Sequence, residues 1–198
     1  MTKIIGLTGG IGSGKSTIAR FFEKAGFPIY LADDAGKVVM QEPSIIQAIA
    51  TVFGEAIIEN GTIHRQKLAQ IVFNDPEQLQ KLNRIVHPAV KKHFEKWLQL
   101  HKQSPYVLYE AAILFETEKY KDCDYVITVV APLEARIARV LKRDQTSKDL
   151  VLQRMNAQWT DDQRIPKSDF VIQNDDLKTA EAQVAEILKK LEIKQKHP

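Results

Sequence analysis

The sequence predicts an α/β fold in which a five-stranded, mostly parallel sheet carries helices on both faces. Three observations lead to this prediction: five short β-rich apolar runs, helical patterns between them, and a glycine-rich loop after the first run. Strands that alternate with helices favour parallel pairing, and such sheets bind ligands at the carboxyl ends of their strands. The predicted strands are Ile4 to Thr8, Phe27 to Leu31, Tyr106 to Tyr109, Tyr125 to Val130 and Asp169 to Ile172.

Length and composition are typical of one globular domain. The chain has 198 residues, of which 44% are hydrophobic and 27% charged. Its apolar runs are far shorter than the roughly 20 residues of a membrane-spanning helix, and its N-terminus lacks the pattern of a secretory signal. Cys123 is the only cysteine, so an intramolecular disulfide is impossible. We therefore expect a cytoplasmic protein without a membrane partner.

Charge is unevenly distributed along the chain. The formal net charge of +3 is too small to indicate general nucleic-acid binding, so no nucleic-acid partner is expected. Residues 136–167, however, contain eight basic side chains and four acidic ones. Any strong attraction for a polyanion is expected in this segment.

The first helix is expected to begin inside the glycine loop and to end near Ala25, since Gly26 is a good stop signal. Residues 32–100 then carry several helix signals but no strong strand signal, which predicts an all-helical insertion. Its first helix is expected to be capped by Ser44 and to end at Phe53, and Asn60-Gly61 predicts a turn.

Two further signals divide the rest of the insertion. A helix is expected from about Gln66 to Phe73, and another opens at Asp75-Pro76, because proline fits the first turn of a helix. His87-Pro88 is expected to break this pattern before a third helix that ends near Leu100. By itself, His87 is more typical of a turn or a cap than of a ligand.

The residues Gly9 to Ser16 match the phosphate-loop pattern G-x-x-x-x-G-K-[ST], with a strand before and a helix after. Glycines let backbone N–H groups point at phosphate oxygens, and the helix N-terminus adds partial positive charge. A glycine-rich turn that merely joins strand to helix is the alternative, and it leaves the lysine unexplained. The residues expected to bind the nucleotide are Gly10, Ile11, Gly12, Ser13, Gly14, Lys15, Ser16 and Thr17.

Three side chains of this loop have separate expected roles. Lys15 should reach the β- and γ-phosphates, Ser16 should offer its hydroxyl to Mg²⁺, and Thr17 is placed to contact the α-phosphate.

A regulatory GTPase is the alternative from another functional class. Asp33-Asp34-Ala35-Gly36 fits the loose D-x-x-G pattern of such proteins, but a guanine-reading N-K-x-D segment is absent. The insertion and the arginine-rich segment instead indicate phosphoryl transfer to a small molecule under a lid. The predicted P-loop kinase domain divides into a nucleotide-binding core (1–31, 101–135 and 168–198), an acceptor-binding insertion (32–100) and a lid (136–167).

Candidate catalytic residues lie outside the loop as well. Asp33 follows the second strand at the ligand-binding edge, where it either orients an acceptor hydroxyl or caps a helix, a role that Asp34 shares. Arg139 and Arg143 are four residues apart in a helix that starts near Pro132. Both are therefore expected to point at one anion, and not merely to form a solvated charged face.

Several segments resemble the dephospho-coenzyme A kinase family. Ile5 to Ser16 is similar to its opening segment, and Ala32-Asp33 is similar to its catalytic Ala-Asp pair. The segments that resemble its acceptor side, its lid and its last strand are Arg65 to Leu68, Leu82-Asn83 with His87-Pro88, Ile113 to Glu116, Arg143-Asp144, Arg154 with Gln158, and Asp169 to Ile172 with Asn174.

The resemblance implies ATP-dependent phosphorylation of the ribose 3′-hydroxyl of dephospho-coenzyme A with Mg²⁺, which gives coenzyme A and ADP. It implies that Asp33 is the catalytic base, that Arg143 is a lid residue that contacts ATP, and that Asn174 lies near the nucleotide base. With Lys15, Arg139 and Arg143, Asp33 makes up the set of expected catalytic residues. A nucleoside or nucleoside monophosphate kinase is the alternative, and a monomer is plausible. The implied substrate-binding residues are Thr8, Asp33, Arg65, His87, Pro88, Glu116 and Arg154.

Three positions depart from the family pattern. Ala112 stands where the family usually has proline, and Leu31 stands where it often has aspartate. Glu110 adds a carboxylate at the end of the third strand, where it could hold a magnesium-bound water.

Overall fold

The computed structural model describes residues 1–73 and 75–196, apart from the side chains of Phe73 and of residues 193–196. The chain divides into two compact units. One consists of Met1–Tyr30 with the chain from His101 onward, and the other of Leu31–Leu100. Among the described residues, none of the helices is both long and apolar enough to cross a bilayer.

A five-stranded sheet organises the first unit. The five predicted strands are confirmed, with small shifts at their ends. Their bounds are β1 Lys3–Thr8, β2 Ile29–Leu31, β5 Tyr106–Glu110, β6 Tyr125–Val130 and β7 Phe170–Gln173. Their order in the sheet is β2-β5-β1-β6-β7, and the pairs β1–β5, β1–β6 and β6–β7 are parallel.

Helices flank this sheet. They are α1 Lys15–Lys24, α6 Leu133–Asp144, α7 Lys148–Asn156, the short α8 Asp161–Arg164 and α9 Leu177–Lys196. The helices α1 and α9 pack together, and side chains of α1, such as Ile18 and Phe22, share a core with Ile5 and Leu7 of β1. Gly6 faces the other side of β1, where an added Cβ would meet Leu114 and Cys123.

The second unit has its own small core, in which Ile49, Ile57, Leu68 and Val72 are buried. Helix α5 packs against α2, α3 and α4, so most of the unit is built around this one long helix. Its elements are α2 Ala32–Val39, α3 Pro43–Phe53, β3 Ile58–Glu59, β4 Thr62–Ile63, α4 Arg65–Phe73 and α5 Pro76–Leu100.

Two expectations for this unit are wrong in detail. Ser44 does not cap α3, because Pro43 occupies the first helical position and Glu42 precedes it as the N-cap residue. The unit is also not all helical, because β3 and β4 form an antiparallel hairpin. Asn60-Gly61 forms the predicted turn, and both residues have the positive φ of a tight hairpin turn, 51° and 72°.

The expected break at His87-Pro88 is absent, since α5 continues through Pro88 to Leu100. Proline removes one backbone donor and crowds the preceding turn, but it leaves the other hydrogen bonds of the helix available. Packing against three neighbouring helices outweighs this local cost. The start at Pro76 is as predicted, with the Asp75 carboxylate accepting from the Glu77 backbone N–H at 2.9 Å.

Candidate active site

The glycine loop joins β1 to α1 and is held together by its own hydrogen bonds. Ser13 N–H donates to the Gly10 carbonyl at 3.0 Å. The Lys15 ammonium reaches back to the Gly9 carbonyl at 3.0 Å, so it lies across the loop. Such a loop, which ends at the N-terminus of a ten-residue helix, is suited to bind a polyphosphate.

The outer side of the loop is braced by side chains from distant segments. The Asn174 amide donates to the Ser13 carbonyl at 2.7 Å, and Arg139 donates to the Gly12 and Ser13 carbonyls at 3.3 and 3.4 Å. In a trans peptide the C=O and N–H point in opposite directions. Holding the Ser13 carbonyl from outside therefore directs the Gly14 N–H to the inner side.

Two of the glycines are required by close approach and by conformation. Gly12 has φ +79°, and an added Cβ would collide with the Arg136 carbonyl. Gly14 has φ +94°, and an added Cβ would collide with the Asn174 amide. An L side chain at either position would be strained in this backbone conformation and would push the loop away from its braces.

Arg139 and Arg143 lie on one helix, as predicted, and their guanidinium groups have different partners. That both point at one anion stays a prediction. Arg139 turns to the loop and also donates to the Asn174 carbonyl at 2.9 Å. Arg143 is 64% exposed and pairs with Asp144 at 2.7 Å, an interaction that lowers the pKa of the Asp144 carboxyl. The spacing put both residues on one face, but different partners separate their charged ends.

Asn174 follows β7 and is 3% exposed, and its backbone N–H donates to the Val130 carbonyl at 2.8 Å. Here its side chain braces the phosphate loop. Thr8 is fully buried at the end of β1. A role of Asn174 beside the nucleotide base and a role of Thr8 in substrate binding stay predictions.

Glu116 belongs to a largely buried cluster. Its Oε1 accepts from the Trp159 backbone N–H at 2.7 Å and lies 3.5 Å from the fully buried Arg164 guanidinium. The ring of Phe115 stacks on Trp159, with centroids 5.5 Å apart. These contacts attach the segment around Trp159 to the segment after β5, so Glu116 has a structural role besides its predicted substrate role.

Arg154 donates to Asp144 Oδ2 at 2.9 Å, and Arg143 donates to both oxygens of the same carboxylate, at 2.7 and 3.1 Å. The two arginines thus share one carboxylate. Their net charge together with Asp144 is positive, which suits a surface that meets phosphate groups.

The other candidate residues lie in the second unit. Asp33 is in the first turn of α2, and it does not cap the helix, because Leu31 is the N-cap residue. Arg65 donates to the Lys37 carbonyl at 3.3 Å, which ties the start of α4 to the helix that carries Asp33. His87 and Pro88 lie in α5, which packs against α2, and burial lowers the pKa of the His87 imidazole.

Sequence reasoning missed the roles of Arg136, Asp161 and Arg164. Arg136 donates to the Ile11 carbonyl at 3.1 Å and pairs with Asp161 at 3.3 Å, and Asp161 also pairs with Arg164 at 3.1 Å. One signal was available. The stretch Thr160 to Gln163 fits a capping box, and the Gln163 side chain does accept from the Thr160 N–H at 2.8 Å. It predicts the start of α8, but not the partners of its side chains.

Glu110 ends β5 directly opposite Leu7 of β1 and is 9% exposed. It therefore lies at the carboxyl edge of the sheet, on the strand next to the one that leads into the glycine loop.

The chain matches known proteins over most of its length. Residues 3–180 match the family model for dephospho-CoA kinase. A dephospho-CoA kinase of Fusobacterium nucleatum is 38% identical over 172 residues, which cover 86% of this chain and 89% of the relative.

Solved structures agree with the fold. A crystal structure of a Thermus thermophilus protein superimposes with a TM-score of 0.88 at 31% identity, and the match covers 96% of this chain and 97% of the other. A dephospho-CoA kinase from Campylobacter jejuni has a TM-score of 0.70 at 23% identity over 96% and 98% of the two chains, which supports the P-loop kinase fold alone. The residues matched by the family model include the glycine loop, α6 and β7. This chain therefore belongs to the dephospho-CoA kinase family and is a phosphotransferase that uses ATP.

Proposed function

We propose that this chain transfers the γ-phosphoryl group of ATP to the ribose 3′-hydroxyl of dephospho-CoA, giving CoA and ADP. Family membership gives the phosphoryl donor and the acceptor. The observation that carries the assignment of the ATP site is the braced glycine loop, with Lys15 lying across it. Phosphoryl transfer needs positioning and charge stabilisation more than covalent chemistry, and this loop is built for both.

The loop residues have distinct roles in this proposal. The loop residues Gly10 to Thr17 surround the phosphates, and the N–H groups of Gly12 and Gly14 point toward them. The Lys15 ammonium moves from the Gly9 carbonyl to the β- and γ-phosphates. Arg139 holds the outer side of the loop, and its guanidinium turns away from these carbonyls when it stabilises the charge on the transferring group. Thr17 contacts the α-phosphate, and Asn174 lies near the base.

The residues present fit Mg²⁺. Magnesium needs only one or two oxygen ligands from a protein, because phosphates and water complete its coordination. Ser16 offers an exposed hydroxyl in the first turn of α1 as the ligand. Glu110, at the adjacent edge of the sheet, would hold a magnesium-bound water. When bound, Mg²⁺ neutralises charge on the phosphate oxygens.

Residues of α2, α4 and α5 are proposed to bind the acceptor. Asp33 aligns the ribose hydroxyl and accepts its proton late in the transfer. Arg65, together with His87 and Pro88, contacts dephospho-CoA, and burial lowers the pKa of His87, which favours its neutral imidazole. Thr8, Glu116 and Arg154 are the other proposed substrate contacts.

The experiment that tests this function is an acceptor screen. With ATP and Mg²⁺, ADP formation should depend on dephospho-CoA and be negligible with AMP, CMP, UMP or nucleosides. The product should carry the new phosphate on the ribose 3′-oxygen, as phosphorus NMR can show. Rapid turnover of a nucleoside or nucleotide instead of dephospho-CoA would reject the substrate assignment.

Arg143 is proposed to contact ATP as part of a lid formed by residues 136–167. Arg143→Ala should raise the KM for ATP, lower kcat, or both, because a bidentate donor to phosphate is lost. Asp144 keeps Arg154 as a partner at 2.9 Å, so the local fold should survive. The matched control is Lys142→Ala, which removes the same charge from the neighbouring exposed position. Equal kinetics for Arg143→Ala and wild type would make Arg143 a surface charge only.

The setting of the reaction is also part of the proposal. The single cysteine and the small net charge favour a cytoplasmic enzyme that acts without a nucleic-acid partner. A monomer suffices for the proposed chemistry, because every proposed role is filled by one chain.

A further inference from the structure

The peptide groups on both sides of Ile11 are held by side chains from outside the loop. The Ile11 carbonyl accepts from Arg136 Nε at 3.1 Å, and the Ile11 N–H donates to Gln158 Oε1 at 2.8 Å. Because the peptide between Ile11 and Gly12 is planar and trans, a carbonyl that is held on the outer side turns the Gly12 N–H to the inner side.

Arg136 is itself fixed in place. Its side chain is 11% exposed, and its Nη1 pairs with Asp161 at 3.3 Å. Asp161 is anchored in turn by the fully buried Arg164 at 3.1 Å. Gly10 packs so closely against the Arg136 guanidinium that an added Cβ would collide with it. The donor atom Nε is therefore presented to the loop in one orientation.

We propose that Arg136 is a positioning residue for the ATP phosphates. It orients the Ile11–Gly12 peptide so that the Gly12 N–H faces the phosphates. Arg136 acts through the loop backbone, and its charge serves to hold it against Asp161. This inference rests on the glycine loop being the ATP site.

The structure offers a sharp pair of variants. A glutamine side chain has its Nε2 the same number of bonds from Cα as arginine has Nε, so Arg136→Gln keeps the donor to the Ile11 carbonyl while it loses the charge. Arg136→Met has a similar length and no donor. The affinity for Mg²⁺-ATP should fall about tenfold in the Met variant and stay within about threefold of wild type in the Gln variant, because only the former loses the hydrogen bond.

Two measurements separate this effect from a general loss of structure. Calorimetric titration with Mg²⁺-ATP needs no acceptor, so its result stands even if dephospho-CoA proves not to be the substrate. Steady-state kinetics should show a higher KM for ATP in the Met variant with the KM for dephospho-CoA unchanged. Lys142→Ala is the charge control on the same helix, and it should match wild type. In the same titration, Lys15→Ala should bind more weakly, which checks that the glycine loop is the ATP site.

The outcomes decide the proposal. Equal losses in the Gln and Met variants would assign Arg136 a role through charge or packing, and wild-type affinity in both would give it no role, so either result overturns the inference. If the Met variant melts far below wild type, the Gln variant decides alone. A tenfold loss of ATP affinity in a Gln variant with a native melting temperature would then also overturn it.

Discussion

Replacing Asp33 by asparagine should lower kcat by at least about 100-fold and leave the affinity for ATP nearly intact. Asparagine has the same shape but cannot take the proton of the attacking hydroxyl. Because the phosphates are bound by the loop and not by Asp33, the KM for ATP should change little. Initial rates of ADP formation and calorimetric binding of ATP measure the two quantities separately.

The chain supplies a matched control for this substitution. Asp34 is the next residue in the first turn of α2, also exposed, and its carboxylate pairs with Lys37 at 2.6 Å. Either substitution removes one negative charge near the helix N-terminus, at a similar cost of about 0.3–1 kcal/mol in stability. Asp34→Asn should therefore match Asp33→Asn in stability and wild type in kcat. Unchanged turnover of Asp33→Asn would remove this carboxylate from the mechanism.

Replacing Arg164 by methionine should lower the free energy of unfolding by about 3–5 kcal/mol, the range for breaking a buried ion pair from one side. Arg164 is fully buried between Asp161 and Glu116, at 3.1 and 3.5 Å. Asp161 keeps Arg136 as a partner, but Glu116 keeps only the N–H of Trp159 among the contacts described for it. An acidic group would thus be left poorly compensated in the interior, and urea unfolding measures the cost.

A second substitution identifies the cause of the stability loss in Arg164→Met. If the uncompensated charge is responsible, Arg164→Met combined with Glu116→Gln should be more stable than the sum of the two single effects predicts. Arg154→Met breaks an ion pair whose arginine is 43% exposed, so it should cost no more than about 1 kcal/mol. A loss below that value for Arg164→Met would contradict the role assigned to the buried cluster.

Sequence alone was sufficient where the physics is local. The phosphate-loop pattern, the strand before it and the helix after it depend on residues within one short stretch, and all three are found. The turn at Asn60-Gly61 and the helix start at Pro76 follow from the backbone preferences of these residues, and both are present. The resemblance of several segments to one family identified the fold and the reaction class, which the family match bears out.

Local rules failed where packing opposes them. Pro88 predicts a helix break, but α5 continues because its neighbours stabilise both halves. The pair β3–β4 has only two residues in each strand, too few for a pattern to be visible. Ser44 has the chemistry of a cap, but Pro43 beside it is the better first residue of a helix. The helix α3 therefore begins at Pro43, before Ser44.

The sequence by itself determined the phosphate loop, because the loop glycines, Lys15 and Ser16 are adjacent and their spacing encodes their geometry. The resemblance of several further segments to one family added the phosphotransferase reaction. Only the tertiary structure decided what holds that loop in place. Arg136, Gln158 and Asn174 are more than a hundred residues away from it along the chain, and their partners are backbone carbonyls and amides, which are the same in every residue. No sequence pattern records a bond between a side chain and a peptide group so far away along the chain, so such contacts become visible only once the strands and helices are packed.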